Sequence, residues 1–334
     1  MSALRVGLIG AGWVTQYHLQ AWQKLAGKAT VVAIADPSAD NVAVRADAFG
    51  IARRFAGAQA MLDACELDAV DIAAPRAVHA ELVRLVAERG LPVICQKPLA
   101  PTLAEAETLA RDVAGRIRLM VHENWRFRDY YRDAAAWIRD GRIGEITAAR
   151  LTLVTSGTIK DPSGQYPALV RQPFMRHEKR MLVAEVLIHH LDTLRMLLGE
   201  FDVTAATLTQ TCREIAGEDG AVIQMQSKEG AGVSLFATFA AHGAPPSQSD
   251  RLEILGKAGA IRLEGSELQL FGARPETRSY DLAASYQGSY DATIAHFVDA
   301  LASGAPFETS PEDNLLTLRL VEDCYILSGR EDRR

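Results

Sequence analysis

The first third of the chain alternates short apolar runs with amphipathic stretches. Residues 5–9, 31–35, 69–74 and 93–96 are such runs, rich in Val, Ile, Leu and Ala, and residues between them repeat apolar positions at helical spacing. That alternation is the mark of βαβ units and a parallel sheet, and it predicts a doubly wound first domain over residues 4–121. After Gly144 the texture changes. Residues 145–155, 203–212, 221–227, 232–240, 251–255 and 260–263 alternate apolar and polar side chains, as a mostly antiparallel sheet with one wet face does. Helical patterns at 180–198 and 290–303 interrupt the series, and a last helix at 311–327 starts with Pro311 in the first helical position after Ser310. Residues 156–180 hold glycine, prolines and many charges without a period and predict a long loop. Residues 241–249 predict a short linker or hairpin tip.

With 334 residues, 48% hydrophobic and 23% charged, the chain has enough apolar surface for two packed domains. The net charge of −6 offers no basic footprint for nucleic acid. No apolar run approaches the length of a membrane span and no signal-peptide pattern opens the chain, so a cytoplasmic protein with no membrane partner is expected. Cys65, Cys95, Cys212 and Cys324 are widely separated without CxxC spacing, which predicts buried free thiols rather than a disulfide or zinc centre.

Chemistry enters at the strand ends. Gly10-Ala11-Gly12 follows the first strand and precedes a helix, the context in which a glycine pair becomes a dinucleotide fingerprint. Gly10 permits the tight turn, and Gly12 lets backbone N–H groups at the helix start approach a pyrophosphate. The third glycine position holds Thr15, which predicts slightly looser helix-to-strand packing. Asp36 ends the second strand, where a carboxylate accepts bonds from the adenosine ribose and would repel a 2′-phosphate, so NAD is expected over NADP. Lys97 ends the run 93–97 on the edge where ligands of open α/β sheets bind.

These pieces, together with His18, the run Ala74-Pro75 to His79, Gln96-Lys97-Pro98, Asn124-Trp125-Arg126-Phe127 and Glu185 to Asp192, resemble the Gfo/Idh/MocA oxidoreductases over nearly the whole chain. The resemblance implies an N-terminal Rossmann domain (1–121) and an α+β C-terminal domain (122–334) with a large, mostly antiparallel open sheet. The last helix, about 311–327, is then a candidate to pack back on the Rossmann domain. The active site lies between domains in that family, and the open sheet commonly makes oligomer contacts, which implies a homodimer or homotetramer. Lys97 matches the lysine that reaches the nicotinamide ribose and the reacting hydroxyl, and His189 the general acid/base. Trp13, Val14, Ala74, Pro75, His79, Gln96 and Asn124 join Gly10, Gly12, Asp36 and Lys97 as implied cofactor contacts. The pairing of residues 95–98 with 122–126 is similar to a subgroup that includes D-apiose dehydrogenases.

Residue chemistry points the same way. Oxidising an alcohol needs a base for the hydroxyl proton while hydride leaves the carbon. On a helix over 180–198, Glu185, His189 and Asp192 share one face, with His190 turned about 100° away. Glu185 is placed to orient the imidazole, and the Lys97 ammonium to favour the alkoxide. Glu123 offers an acceptor for sugar hydroxyls, Trp125 a flat face for a sugar ring, and Arg171 and Arg176 a bidentate grip for a carboxylate. Asn124 completes the expected substrate contacts. Three positions depart from the family: Gln96 replaces its glutamate, Glu185 its aspartate and Leu187 its glycine. No ligand spacing calls for a metal. The expectation is an NAD-dependent dehydrogenase acting on a sugar, polyol or sugar acid. Its rivals are a redox-neutral isomerase, epimerase or lyase that recycles NAD, and a non-catalytic nucleotide-binding regulator.

Overall fold

The computed structural model describes residues 3–247 and 250–330. Two compact units make up the chain. One holds the sequence up to Phe127 with Tyr286–Leu318, the other Arg128–Ser285 with the sequence from Arg319 onward.

The first unit is built on six strands, β1 (Leu4–Ile9), β2 (Ala29–Ala35), β3 (Arg53–Phe55), β4 (Ala69–Ile72), β5 (Val93–Gln96) and β6 (Leu119–His122). They are ordered β3-β2-β1-β4-β5-β6 and every pair is parallel. All C-terminal strand ends therefore share one edge, and the order reverses direction between β1 and β4, where such sheets bind dinucleotides. The crossovers are α1 (Thr15–Lys24), α2 (Ala39–Phe49), α3 (Ala58–Ala64), α4 (His79–Ala87) and α5 (Leu103–Val113). Strands β4, β5 and β6 are buried at every position, which is why their sequences run apolar without alternation. The buried polar exceptions are Gln96 and His122, at the ends of β5 and β6, and Asp71 in the middle of β4, a fully buried carboxylate.

The second unit carries an eight-stranded sheet ordered β14-β13-β12-β11-β7-β10-β9-β8. Its strands are β7 (Ile146–Val154), β8 (Phe201–Thr209), β9 (Gly220–Ser227), β10 (Gly232–Thr238), β11 (Asp250–Gly256), β12 (Gly259–Glu264), β13 (Glu267–Gly272) and β14 (Glu276–Ser279). Only β7 and β10 pair in parallel. Register puts Leu151, Leu235, Ile223, Ile254, Ile261 and Leu270 on a buried face. The opposite face exposes Val222, Phe236, Leu255 and Phe271, with Phe236 directly opposite Val222. Helices α6 (Asp129–Arg139), α7 (Pro167–Arg171) and α8 (Ile188–Leu198) belong to this unit. The helix expected over 180–198 is in fact two pieces, a π-helical turn at Leu182–Leu187 followed by α8. The loop expected over 156–180 holds α7 and a 3₁₀ turn at Pro173–Arg176. Of the tip expected over 241–249, residues 248 and 249 lie outside the described residues.

Helix α9 (Leu282–Ser303) starts well before the expected residue 290, and from Tyr286 on it belongs to the first unit. Its Tyr290, Ile294, Phe297 and Val298 join Val6, Trp22, Ile94 and Met120 in one buried cluster, an apolar partnership that no local pattern announces. The last helix, α10 (Pro311–Leu327), is shared, with residues through Leu318 in the first unit. The first unit also extends past the expected boundary at residue 121. Asn124 Nδ2 donates to Ser289 Oγ at 2.7 Å, and Arg126 pairs with Asp313 at 2.8 Å, both inside it. Among the described residues no helix is long and apolar enough to cross a membrane.

Candidate active site

At the carboxyl edge of the first sheet, Gly10 has φ +105°, and a Cβ there would lie 2.4 Å from the Ala73 carbonyl oxygen. Both constraints demand glycine. Gly12 is different: a Cβ would meet nothing within 4 Å, so its side is open for a ligand to approach the backbone. Helix α1 begins there without a side-chain cap or an acidic residue in its first turn, leaving its N–H groups for an anion. Thr15 corrects the expectation of looser packing. It is fully buried and its Oγ1 donates to the Gly10 carbonyl at 3.1 Å, tying the turn to the helix. Asp36, at the end of β2, accepts from Ala11 N and Ser38 N, each at 2.8 Å. Arg45 donates through Nε and Nη2 to the Gly12 carbonyl, so it braces the turn from behind. An open glycine, a bare helix start and a carboxylate at the end of β2 fit a dinucleotide with free ribose hydroxyls. Val14 is the residue before α1, and Trp13 beside it is 40% exposed, edge-on to Tyr17 at 5.1 Å.

Lys97 follows β5 directly, and the Lys97–Pro98 peptide is cis. Two buried side chains hold this turn. Gln96 Oε1 accepts from Lys97 N at 3.0 Å, and His79 lies with Nδ1 2.8 Å from the Pro98 carbonyl and Nε2 2.8 Å from the Ala74 carbonyl. His79 therefore joins the segment after β4, where Pro75 opens a short 3₁₀ turn, to the segment after β5. Gln96, expected to touch cofactor, instead turns its amide inward, toward His18 Nε2 at 2.9 Å and His122 Nδ1 at 3.3 Å. His18 Nδ1 in turn meets Asp71 Oδ2 at 2.8 Å, an atom that also accepts from Trp22 Nε1 at 2.8 Å. Burial pushes the neighbouring Cys95 thiol well up, with Asp71 adding to it, so Cys95 is inert packing.

The turn after β6 is less open than its sequence suggests. Glu123 is fully buried and its Oε1 accepts from Trp125 N at 3.2 Å, while Trp125 is only 4% exposed and sits edge-on to Tyr286 at 6.2 Å. The flat face expected for a sugar ring is thus covered.

In the second unit, His189 stands in the first turn of α8 and is 8% exposed, with Glu185 half-buried in the π-helical turn before it. π turns inside helices cluster at functional sites. Glu218 supports this turn, its Oε1 accepting from Val183 N at 3.0 Å and from Tyr325 Oη at 2.6 Å. His190 proves to be an anchor. Its Nε2 lies 2.9 Å from Asp250 Oδ1 and its Nδ1 3.2 Å from the Val186 carbonyl, so the ring is held at both nitrogens. Tyr131 Oη donates to Asp250 Oδ2 at 2.8 Å, and Arg128 lies 3.9 Å from the same carboxylate. Burial alone would raise the Asp250 carboxyl, but the His190 charge and hydrogen bond, then Arg128 and Tyr131, hold it well below the usual carboxylate range. Burial and the Asp250 charge push the Tyr131 hydroxyl well up, so it stays a donor.

Arg176 lies on the surface, 3.2 Å from Glu214. Sequence reasoning missed Asp71, Glu218 and Asp250. The available signal was an acid inside, or closing onto, an apolar run. Among the described residues no three His, Cys, Asp or Glu side chains gather as a metal ion requires.

Comparison with known proteins bears on both units. Residues 4–122 match the oxidoreductase family with an NAD-binding Rossmann fold, and residues 131–262 match the GFO/IDH/MocA C-terminal domain. A D-apiose dehydrogenase from Paraburkholderia graminis is 34% identical over 98% of this chain and 88% of its own. An inositol 2-dehydrogenase from Rhizobium meliloti is 28% identical over 99% of this chain and 98% of its own. The crystal structure of an oxidoreductase from Agrobacterium radiobacter, in complex with NAD+, L-tartaric acid and magnesium, superposes with a TM-score of 0.91 at 29% identity, covering 99% of this chain and 98% of that one. With an NAD-binding Rossmann domain and the family's C-terminal domain in one chain, the protein belongs to the Gfo/Idh/MocA oxidoreductases.

Proposed function

We propose that the protein is an NAD-dependent dehydrogenase that oxidises a hydroxyl of a sugar, polyol or sugar acid, with an aldopentose such as apiose the first substrate to test. The observation that carries this proposal is Lys97, whose backbone turn is held on both sides by the buried Gln96 and His79 side chains at the ligand-binding edge of an NAD-binding sheet. The Gly10–Gly12 turn, the start of α1 and Asp36 would hold NAD, which would supply the hydride acceptor. His189 takes the hydroxyl proton as general base, and Glu185 orients its imidazole. The Lys97 ammonium stabilises the alkoxide that develops as the proton leaves.

Of the other substrate contacts expected, Glu123, Asn124 and Trp125 act by shaping the turn after β6, in which they are buried. Arg176 reaches a substrate carboxylate only by leaving Glu214. The relatives named above, dehydrogenases of D-apiose and of inositol, support the substrate class. The exposed sheet face that carries Val222, Phe236, Leu255 and Phe271 is the surface we assign to a homo-oligomer. Four buried free cysteines support a reducing, cytoplasmic setting.

The test is a screen of aldoses, polyols and sugar acids with purified protein and NAD, followed by NADH absorbance. Net NADH formation is expected, whereas conversion of substrate without it indicates redox-neutral chemistry. Lys97→Ala and His189→Ala should each lower kcat by roughly 10² or more while NAD still binds. Wild-type turnover by either variant rejects its role.

A further inference from the structure

Gln96 stands where the sequence departs from the family's glutamate, and its surroundings give that departure a meaning. The side chain is 7% exposed, and His18, His122 and Asp71 are fully buried, so no solvent replaces a lost bond. Its Oε1 is committed to the Lys97 N–H, which fixes the orientation of the amide. Nε2 then presents one hydrogen to His18 Nε2 at 2.9 Å and one to His122 Nδ1 at 3.3 Å. Both facing nitrogens must offer lone pairs. His18 keeps its proton on Nδ1, toward Asp71 Oδ2 at 2.8 Å, and is therefore uncharged in this arrangement. The two imidazoles stack with centroids 4.3 Å apart and Tyr290 against both, a contact that two cations would resist.

We infer that Gln96 is a positioning residue for Lys97 and that the position requires an amide, because only a neutral group with one acceptor and two donors satisfies the Lys97 N–H and two uncharged histidines together. The chain Asp71–His18–Gln96–His122 ties α1 to β4 and to the ends of β5 and β6, so the backbone of Lys97 is fixed to the sheet rather than to a loop. A carboxylate at position 96 still accepts the Lys97 N–H, but its second oxygen faces two lone pairs. It is accommodated only if a histidine binds a proton, with His18 then donating to Asp71 on one side and to the carboxylate on the other. The local frame around the reacting ammonium thereby gains both a new negative and a new positive charge.

This inference rests on the assignment of Lys97 to the reaction, and one of its tests does not. Nitrogen-15 NMR of histidine-labelled protein at neutral pH reads the protonation of His18 and His122 directly, with His18→Gln and His122→Gln spectra giving the assignments. The wild type should show His18 neutral and protonated on Nδ1, and Gln96→Glu should show one of the two rings doubly protonated. A doubly protonated His18 in the wild type, or two neutral rings in Gln96→Glu, overturns the frame whatever Lys97 does. Kinetics test the positioning. Gln96→Leu and Gln96→Glu should lower kcat at least about tenfold, on the scale of misplacing a reacting group, with NADH affinity unchanged. The pH profile of Gln96→Glu should also gain an ionisation that the wild type lacks. Wild-type kcat in both variants overturns positioning; a Gln96→Leu protein too unstable to assay leaves Gln96→Glu to decide it. If Lys97→Ala turns over normally, the catalytic assignment fails while the histidine spectra still judge the frame.

Discussion

Replacing Asp250 with asparagine should destabilise the second unit strongly. The carboxylate is buried and accepts from His190 Nε2 at 2.9 Å and Tyr131 Oη at 2.8 Å, with Arg128 3.9 Å away. Asparagine keeps one acceptor but turns an NH₂ group toward one of these donors, and it leaves the Arg128 guanidinium without its counter-charge. Breaking a buried ion pair from one side costs about 3–5 kcal/mol. For a unit of about 170 residues each kcal/mol moves the midpoint roughly 2–4 °C, so Tm should fall by roughly 6–20 °C. Tyr131→Phe removes one hydrogen bond to a charged group and should cost less, about 1.5–3 kcal/mol. Calorimetry, with urea titration followed by circular dichroism, measures both. An Asp250→Asn protein that melts within about 2 °C of wild type, or a Tyr131→Phe protein that loses as much as it does, refutes the assignment of the buried charge to this carboxylate.

Three further outcomes are expected. NADPH should bind at least about tenfold more weakly than NADH, since a 2′-phosphate meets Asp36 and Arg45 is already engaged with Gly12; Asp36→Ser should narrow the gap, and equal dissociation constants by fluorescence titration would contradict it. Gly10→Ala should cost at least about 2 kcal/mol through its positive φ and the Ala73 carbonyl, whereas Gly12→Ala should leave Tm unchanged and weaken NAD binding. Because Asp250 is held below its unfolded value of about 3.9, its contribution is complete above that pH and drains away as pH falls toward the lower folded value. The wild-type Tm should therefore drop more steeply than that of Asp250→Asn below about pH 4, as pH-dependent calorimetry will show.

The parallel sheet was legible because β1, β2 and β5 are apolar runs closing on glycine, aspartate or lysine and β4 one closing on Pro75, and the antiparallel sheet because its register demands alternation. Strand β3 escaped as three residues of which two are exposed, β14 because the edge Glu276–Ser279 has no apolar position to alternate, and β13 because only Leu268 and Leu270 mark its buried face. The π-helical turn was hidden for another reason: one extra residue per turn barely disturbs an apolar pattern that is nearly continuous from Leu182 to Leu187. At the candidate site, the glycines, Asp36 and Lys97 were readable because each answers a local demand of strand end or turn. The partners that hold them were not, since Gln96 meets His18 across 78 residues and Tyr131 meets Asp250 across 119. Trp125 misled because an aromatic beside polar residues looks the same in sequence whether it is open or buried.

The return of α9 to the first sheet bears on biosynthesis. Strand β6 forms one edge of that sheet, and Val121 pairs with Thr309 through both its N–H and its carbonyl, at 2.8 and 2.6 Å. Phe297 and Ile294 fill the core beside Ile94 and Met120. A ribosome that has released Phe127 must add about 190 more residues before Leu318 emerges, an interval of roughly 10–40 s at ordinary elongation rates. During that interval the nascent nucleotide-binding half carries an uncovered apolar face and an open strand edge, so the second unit can complete its own sheet first, and chaperones have a defined surface and a defined time in which to act.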